Sequence, residues 1–492
     1  MIKKNDRQAS AMLFALIVAF LLSILGLAFF TYSSSDMRMT ERHRQIAQAF
    51  RNAEAGIERA IFDLRQDFTN DQLDPSWFDG EINGIPLPAQ TADDFYDLPY
   101  ATTSLNEGHY SVQLRNVSGT GREIWIRSTG VVSGVTQTIQ VYTKIRDVSI
   151  WNNAIFGGTG QSGLLVNGNA RIWGSVHLLG DNLTATDLAA DLSGTAILAG
   201  NNYSDLALEL LAKIPSILTP AGIESLNSEL RAKRGKISLS GTSLAGQPND
   251  PLNSYKETMD GSYVTDGFTG NKGTENVFSD NGYSEGYDLE DVMYFPRLSD
   301  PYGTYPTYTD YLRDNALILT DQLSNIQPNS SFSYSNVHGS ISMNGSGEMN
   351  ISGIIFVDGN NNLGMYKQGP LKTITYAGRG SIFVSGDVVI NTNLITKGDN
   401  SYPVDNVIGV MTPNTVSFNE SQTDIMGLFY AEDSVRVSKQ TNILGTIVSN
   451  YFDMGTNVPS IFQVPATVDN LPPGMIDPGR VWLIKVVSWE RV

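Results

Sequence analysis

The chain has 492 residues, a formal net charge of −18 and no cysteine. Without cysteine there are no disulfides, thiolate metal sites or cysteine nucleophiles, and the acidic balance argues against nucleic acid, whose phosphates call for clustered Lys and Arg. Its 46 glycines, mostly beyond residue 100, indicate a turn-rich β protein long enough for two or three domains.

The first predicted element is apolar. Lys3, Lys4 and Arg7 precede "ASAMLFALIVAFLLSILGLAFF" (9–30), and no charge occurs between Arg7 and Asp36. As a helix, the run from Ala11 to Phe30 rises about 30 Å, the thickness of a bilayer's hydrocarbon core. The basic leader keeps residues 1–8 cytoplasmic. A secretory signal has a shorter apolar region and a small-residue cleavage site, so this run reads as an anchor.

The pattern then changes without a break. From Asp36 to Asp63 the sequence "DMRMTERHRQIAQAFRNAEAGIERAIFD" contains no Pro. Ile46, Phe50, Ala53, Ile57, Ala60 or Ile61, and Leu64 recur at steps of three and four, which marks one apolar helical face. Arg42, Arg44, Arg51, Glu54, Glu58 and Arg59 fall largely off that stripe. One helix of about 55 residues and about 80 Å is predicted. Its second half needs a packing partner.

These residues resemble the N-terminus of PilX-type minor pilins of type IV pilus systems. The most specific piece is "QAFRNAEAGIERA", in which Gln48, Ala49, Phe50, Ala53, Glu54 and Ala55 fall on the family's pattern. The resemblance covers residues 7 to about 64 strongly and the remainder by architecture. It implies that a prepilin peptidase removes a leader, residues 1–9, at the Ala9–Ser10 junction, with methylation of the new terminus. It implies a transmembrane and filament-packing helix over 10–31 and a pilin-like body over 32–150. Ala9 stands where the family usually has Gly. Phe14 stands where major pilins carry a glutamate, which fits a minor pilin.

Residues 67–105 are rich in Asp, Pro and Asn and read as a loop over the helix. "HYSVQLR" (109–115), "EIWIRST" (123–129) and "TQTIQVYTKI" (136–145) alternate apolar with polar residues, as half-buried antiparallel strands do. A helix lying across this small sheet is the α+β pilin body that the resemblance implies. Phe50, Ala53, Ile57 and Ile61 are its predicted packing residues.

Beyond residue 150 the sequence is weakly repetitive. "GIIFVDGNNNL" (353–363), "GSIFVSGDVVI" (380–390), "GLFYAEDSVRV" (427–437) and "GTIVSNYFDM" (445–454) each begin with Gly and run through an apolar triplet. Such spacing suits the coils of a β-solenoid-like domain over 151–492; a two-sheet β-sandwich is the alternative. Residues 203–233 read as a helical hairpin inserted between strands. Residues 281–312 form a Tyr-rich loop that includes Tyr283, Tyr287 and Tyr294. Tyr302, Tyr305, Tyr308 and Tyr311 are its candidate binding surface, since tyrosine offers wide contact area at low entropic cost. The competing expectation is that these rings cover apolar strand edges.

Chemistry-bearing motifs are missing. His43, His109, His177 and His338 are scattered, and neither a Walker A loop nor a GxSxG elbow occurs. "DGNNN" (358–362) and "SDNGYSEGYDLED" (279–291) lack EF-hand spacing and read as solvated turns. No cofactor and no enzyme activity is expected. The resulting expectation is a low-copy or tip minor pilin acting in pilus assembly and adhesion. Its partners would be other pilins through the N-terminal helix, the inner membrane before assembly, the pilus assembly machinery and a surface or saccharide ligand. It would be single-pass in the inner membrane with its bulk periplasmic, then reach the cell surface. The alternatives are a DNA-uptake or surface-binding receptor at the tip, for which "RAKRGK" (231–236) is the one short basic stretch, and a membrane-anchored solenoid hydrolase, which needs only two carboxylates.

Overall fold

The computed structural model describes residues 5–492 except 71–79, 88–93, 99–102, 106, 118–122, 185, 204, 219–223, 227, 246–258, 261, 265–276, 280–292, 321, 360–361 and 480. The chain divides into two units, residues 1–147 with 482–492, and residues 148–481.

The first unit is built on α1, Asn5–Asn70, a helix of 66 residues and about 100 Å. It is longer than predicted at both ends. At its C-terminal end Arg59 pairs with Asp63 at 2.7 Å, and the Asp67 carboxylate accepts the Asn83 backbone N–H at 2.5 Å. Asn83 sits in the turn between β1 (Glu81–Ile82) and β2 (Ile85–Pro86), so this hairpin straps the last helical turns. The predicted loop over 67–105 therefore holds the helix end and this hairpin, followed by β3 (Tyr96–Asp97) and β4 (Thr103–Leu105).

The three predicted strands are β5 (Gly108–Asn116), β6 (Glu123–Val132) and β7 (Val135–Val148), paired antiparallel. Burial alternates along β5 and β6, as the alternating sequence requires. Tyr110, Val112, Leu114, Ile124, Ile126, Ile139 and Val141 face Ala53, Ile57, Ala60 and Leu64 of α1 in one core. Small residues let the helix approach closely. A methyl group on Gly130 would sit 2.1 Å from the Ala49 carbonyl oxygen, and one on Gly56 2.1 Å from Ser128 Oγ.

A further strand closes this sheet. Val481–Arg491 lies beside β7 at the sheet edge, its Ile484 joins the same core, and the Val492 N–H donates to Thr138 O at 3.1 Å. The predicted division at residue 150 thus needs correction: residues 482–492 belong to the body, and the second unit is inserted between β7 and this strand. "VWLIKVVSWERV" shows no alternation that would have marked it as half-buried.

The second unit is mainly β, with parallel strands in large sheets. One ladder runs Leu317–Leu319, Glu348–Val357, Arg379–Val384, Val407–Thr412, Thr423–Ala431 and Thr441–Ser449. It then continues into strands from the start of the unit, Ile155–Gly157, Val176–Leu178 and Leu230–Ala232. Strand order in space is therefore rotated relative to chain order. The motif glycines stack in register, Gly353 on Gly380 and Gly427 on Gly445. Ile355, Phe356, Ile382, Phe383, Leu428 and Phe429 are buried. Sandwich sheets pair antiparallel, which these ladders do not.

The predicted helical hairpin over 203–233 is not formed. Its described residues hold one helical turn, Leu208–Leu211, and the strand Leu230–Ala232. Pro215 blocks extension of the helix, and Leu230 and Ala232 are wholly buried in the ladder. Tertiary burial overrides the helix-forming composition of "SELRAK".

Candidate functional site

The apolar half of α1 is bare. Met12, Phe14, Phe20, Leu25, Phe29 and Phe30 are each well over half exposed, and the helix has the length and composition to cross a membrane. Two of its hydroxyls are satisfied internally: Ser23 Oγ donates to Ala19 O at 2.8 Å and Thr31 Oγ1 to Leu27 O at 2.9 Å. Side-chain hydroxyls closed onto the preceding turn suit an apolar surrounding, in which free polar groups are costly. The helix passes without a break through Ala9 and Ser10.

Beyond the apolar run the helix carries charge, then packs. Arg44 pairs with Glu41 at 2.8 Å and with Glu107, before β5, at 3.2 Å; these partners raise its already high pKa further, with Glu41 the larger influence. Of the predicted packing residues, Ala53 and Ile57 are buried in the core, while Phe50 and Ile61 are partly buried against it. Phe50 also meets Trp489 of the edge strand. Ala60, on the predicted stripe, is wholly buried as well; Ala49 and Gly56, at which the helix and β6 approach closely, were not among the predicted packing residues. Their spacing of four and three from Ala53 was the available signal.

In the second unit, residues 281–292 of the Tyr-rich segment, with Tyr283 and Tyr287, lie outside the described residues. The rest is not a loop throughout: Tyr308–Asp314 is a helix capped by Thr307, whose Oγ1 accepts the Asp310 N–H at 3.0 Å. Tyr308 is buried and its hydroxyl donates to Met475 O at 3.0 Å. Tyr311 and Tyr302 pack with centroids 4.6 Å apart, and Tyr305 and Tyr311 at 5.5 Å. Tyr302 is 41% exposed. The cluster is anchored from below by Tyr308 and open above at Tyr302.

The other sequence candidates fall into architecture. His177 is completely buried, and burial, reinforced by Arg231 and Lys233, holds its pKa well below the usual value. Arg231 and Lys233, the core of the basic stretch, are themselves buried at 7% and 5% exposure. Among the described residues no three His, Asp or Glu side chains converge on a metal position. Asp358 in "DGNNN" pairs with Arg313 at 3.0 Å.

The sequence matches no protein-family model and no curated protein. The structure is similar to that of the competence-associated pilin ComZ from Thermus thermophilus, with a TM-score of 0.52 and 19% identity over 91% of this chain and 97% of that one. At that identity the likeness is one of fold: a long N-terminal helix followed by a mainly β region with large parallel sheets.

Proposed function

We propose that the chain is a minor pilin of a type IV pilus or related filament, a structural component rather than an enzyme. The observation that carries this reading is α1 itself: one unbroken helix, bare and apolar through its first half, buried against a sheet through its second. Residues 10–31 hold the protein in the inner membrane before assembly. The same face packs among neighbouring pilin helices afterwards. Both surroundings are dry and apolar, so exchange between them costs little once helix contacts replace lipid contacts.

The size of the second unit supports a low-copy or tip position, because an insertion of this bulk does not repeat along a thin shaft. Its ladders read as coils of a β-solenoid. Register-matched glycines 27 and 18 residues apart support that reading. Surface or saccharide contact at the tip is assigned to the open side of the Tyr302, Tyr305 and Tyr311 cluster.

The fold shared with a competence-associated pilin favours one second reading, a role in DNA uptake. The net charge of −18 and the burial of Arg231 and Lys233 weigh against direct contact with DNA by this chain. N-terminal mass mapping of the protein from membrane and sheared-filament fractions tests the main reading. Recovery in filaments with Ser10 as first residue is expected. A chain confined to membranes with Met1 intact is a plain signal anchor.

A further inference from the structure

The groove between α1 and the β6–β7 turn has no assigned role. It is a shallow, open groove of about 430 Å³, lined by Met37, Arg38, Glu41, Arg42, Ser133 and Val135, among others. Two arginines, Arg38 and Arg42, are among its lining residues. Glu41 is engaged by Arg44 at 2.8 Å, whereas Arg38 and Arg42 form no ion pair among the described residues. Met37 and Val135 give the groove an apolar margin. The turn is a two-residue hairpin, with Ser133 and Gly134 both at positive φ and Val132 paired to Val135, so the Ser133 and Gly134 N–H groups lie outside the ladder.

Position along the helix gives this groove its partner. If Phe30 marks the edge of the hydrocarbon, Arg38 lies about 12 Å further along the axis. The headgroup layer on each side of a bilayer is about 5–8 Å deep. Side chains on a helix lean toward its N-terminus, so the Arg38 guanidinium reaches back toward that layer. Tyr32, 74% exposed, falls between the two, where amphipathic rings settle at an interface.

We propose that this groove binds the phosphate of an anionic phospholipid in the leaflet from which the pilin body emerges. Arg38 takes the phosphate, Arg42, about 18 Å beyond Phe30, adds its positive field from behind, the turn caps the headgroup, and Met37 and Val135 border the glycerol. The inference rests on the membrane-anchor reading above and adds a lipid preference to it. In a chain of such negative net charge, the groove supplies a local positive contact where an anionic membrane surface would otherwise repel the body. Entry into a filament then requires release of this lipid.

The full-length protein reconstituted into nanodiscs with equal phosphatidylglycerol and phosphatidylcholine tests it, the retained lipid being read by native mass spectrometry. Two arginines at an anionic surface correspond to a preference of about thirtyfold for phosphatidylglycerol. The double variant R38Q/R42Q is expected to bring the ratio close to one, and R51Q, outside the groove, to leave it unchanged. Both sets of positions are on the exposed helix face, and circular dichroism checks that the helix persists. Equal retention of the two lipids by the unaltered chain overturns the proposal, as does a preference that survives R38Q/R42Q. Inorganic phosphate that abolishes the preference at millimolar level assigns the groove to a free anion and overturns the lipid. A chain that does not enter the discs overturns the anchor reading and this one together; entry without preference overturns only this one.

Discussion

The ring of Phe50 in α1 meets that of Trp489 in the edge strand edge-on, with centroids 5.6 Å apart and planes at 69°. The guanidinium of Arg491 stands 5.8 Å from the Phe50 centroid. Helix and strand, separated in sequence by the entire second unit, are thereby joined within the first unit. Such an aromatic pair contributes about 0.5–1.5 kcal/mol beyond the area it buries. Trp489→Ala should lower body stability by about 1–3 kcal/mol, and Trp489→Phe by much less. Limited proteolysis of β7 in the full-length protein reads this directly; equal protection in both variants would show that the edge strand is dispensable.

The helix face gives a graded series. Ile57→Asp places an unpaired charge in a site that is 4% exposed and should cost several kcal/mol; Phe50→Asp, only partly buried, should cost less. Arg51→Asp should be mild. Arg59→Asp should lie between, since it removes the cation 2.7 Å from the buried Asp63 carboxylate and sets a like charge there instead. Thermal melting of the four variants orders them. If Ile57→Asp melts with Arg51→Asp, the helix does not pack on β5 and β6 in solution.

Replacement of Tyr302, Tyr305 and Tyr308 together by Ser should lower the melting temperature, with most of the loss reproduced by Tyr308→Ser alone. A large buried side chain contributes about 1.5–3 kcal/mol, and Tyr308 also loses its hydrogen bond to Met475 O. Tyr302→Ser should leave melting nearly unchanged. Its effect on attachment of cells carrying the variant then reports on contact rather than on folding, and intact attachment would remove Tyr302 from the contact surface.

His177 predicts an acid-side stability slope. Its folded-state pKa is depressed well below 6.5, so the folded protein stays neutral where the unfolded chain takes up a proton. The associated stability is present above pH 6.5 and is lost as pH falls below it, by at most about 1.4 kcal/mol per pH unit. His177→Gln should be less stable at neutral pH yet show a flatter profile between pH 6.5 and 5, ahead of carboxylate titration. Parallel profiles for the two proteins would mean that another group sets the slope.

Much of the first unit was legible in local pattern. The step of three and four from Ile46 to Leu64 and the alternation in "EIWIRST" are properties of single elements, and each forms where its period requires. The repeated glycines stack in two pairs, 353 on 380 and 427 on 445. What local pattern could not carry was partnership across long separations. Trp489 belongs beside Phe50 only because β7 needs an edge neighbour, and Ile155 follows Ile447 in a ladder that chain order does not reveal. At Leu230 the sequence favours helix, and burial between Val176 and Met259 decides for strand. Tyr308 and Tyr302 look alike in the local sequence, and only the helix start and the burial that bring Tyr308 onto Met475 O set it apart.

Because β7 leaves the body at Val148 and the chain returns along it from Val481, the second unit hangs from two neighbouring strands of one sheet. The two strands that lead to its ends are neighbours in that sheet. A turn of two to five residues, the usual length for such a connection, could close the sheet in its place. The body is in this sense a socket, and what it displays can be exchanged without redesign of the helix that mounts it. Grafting a different folded domain between Val148 and Val481, with the helix and edge strand left intact, should leave the first unit folded.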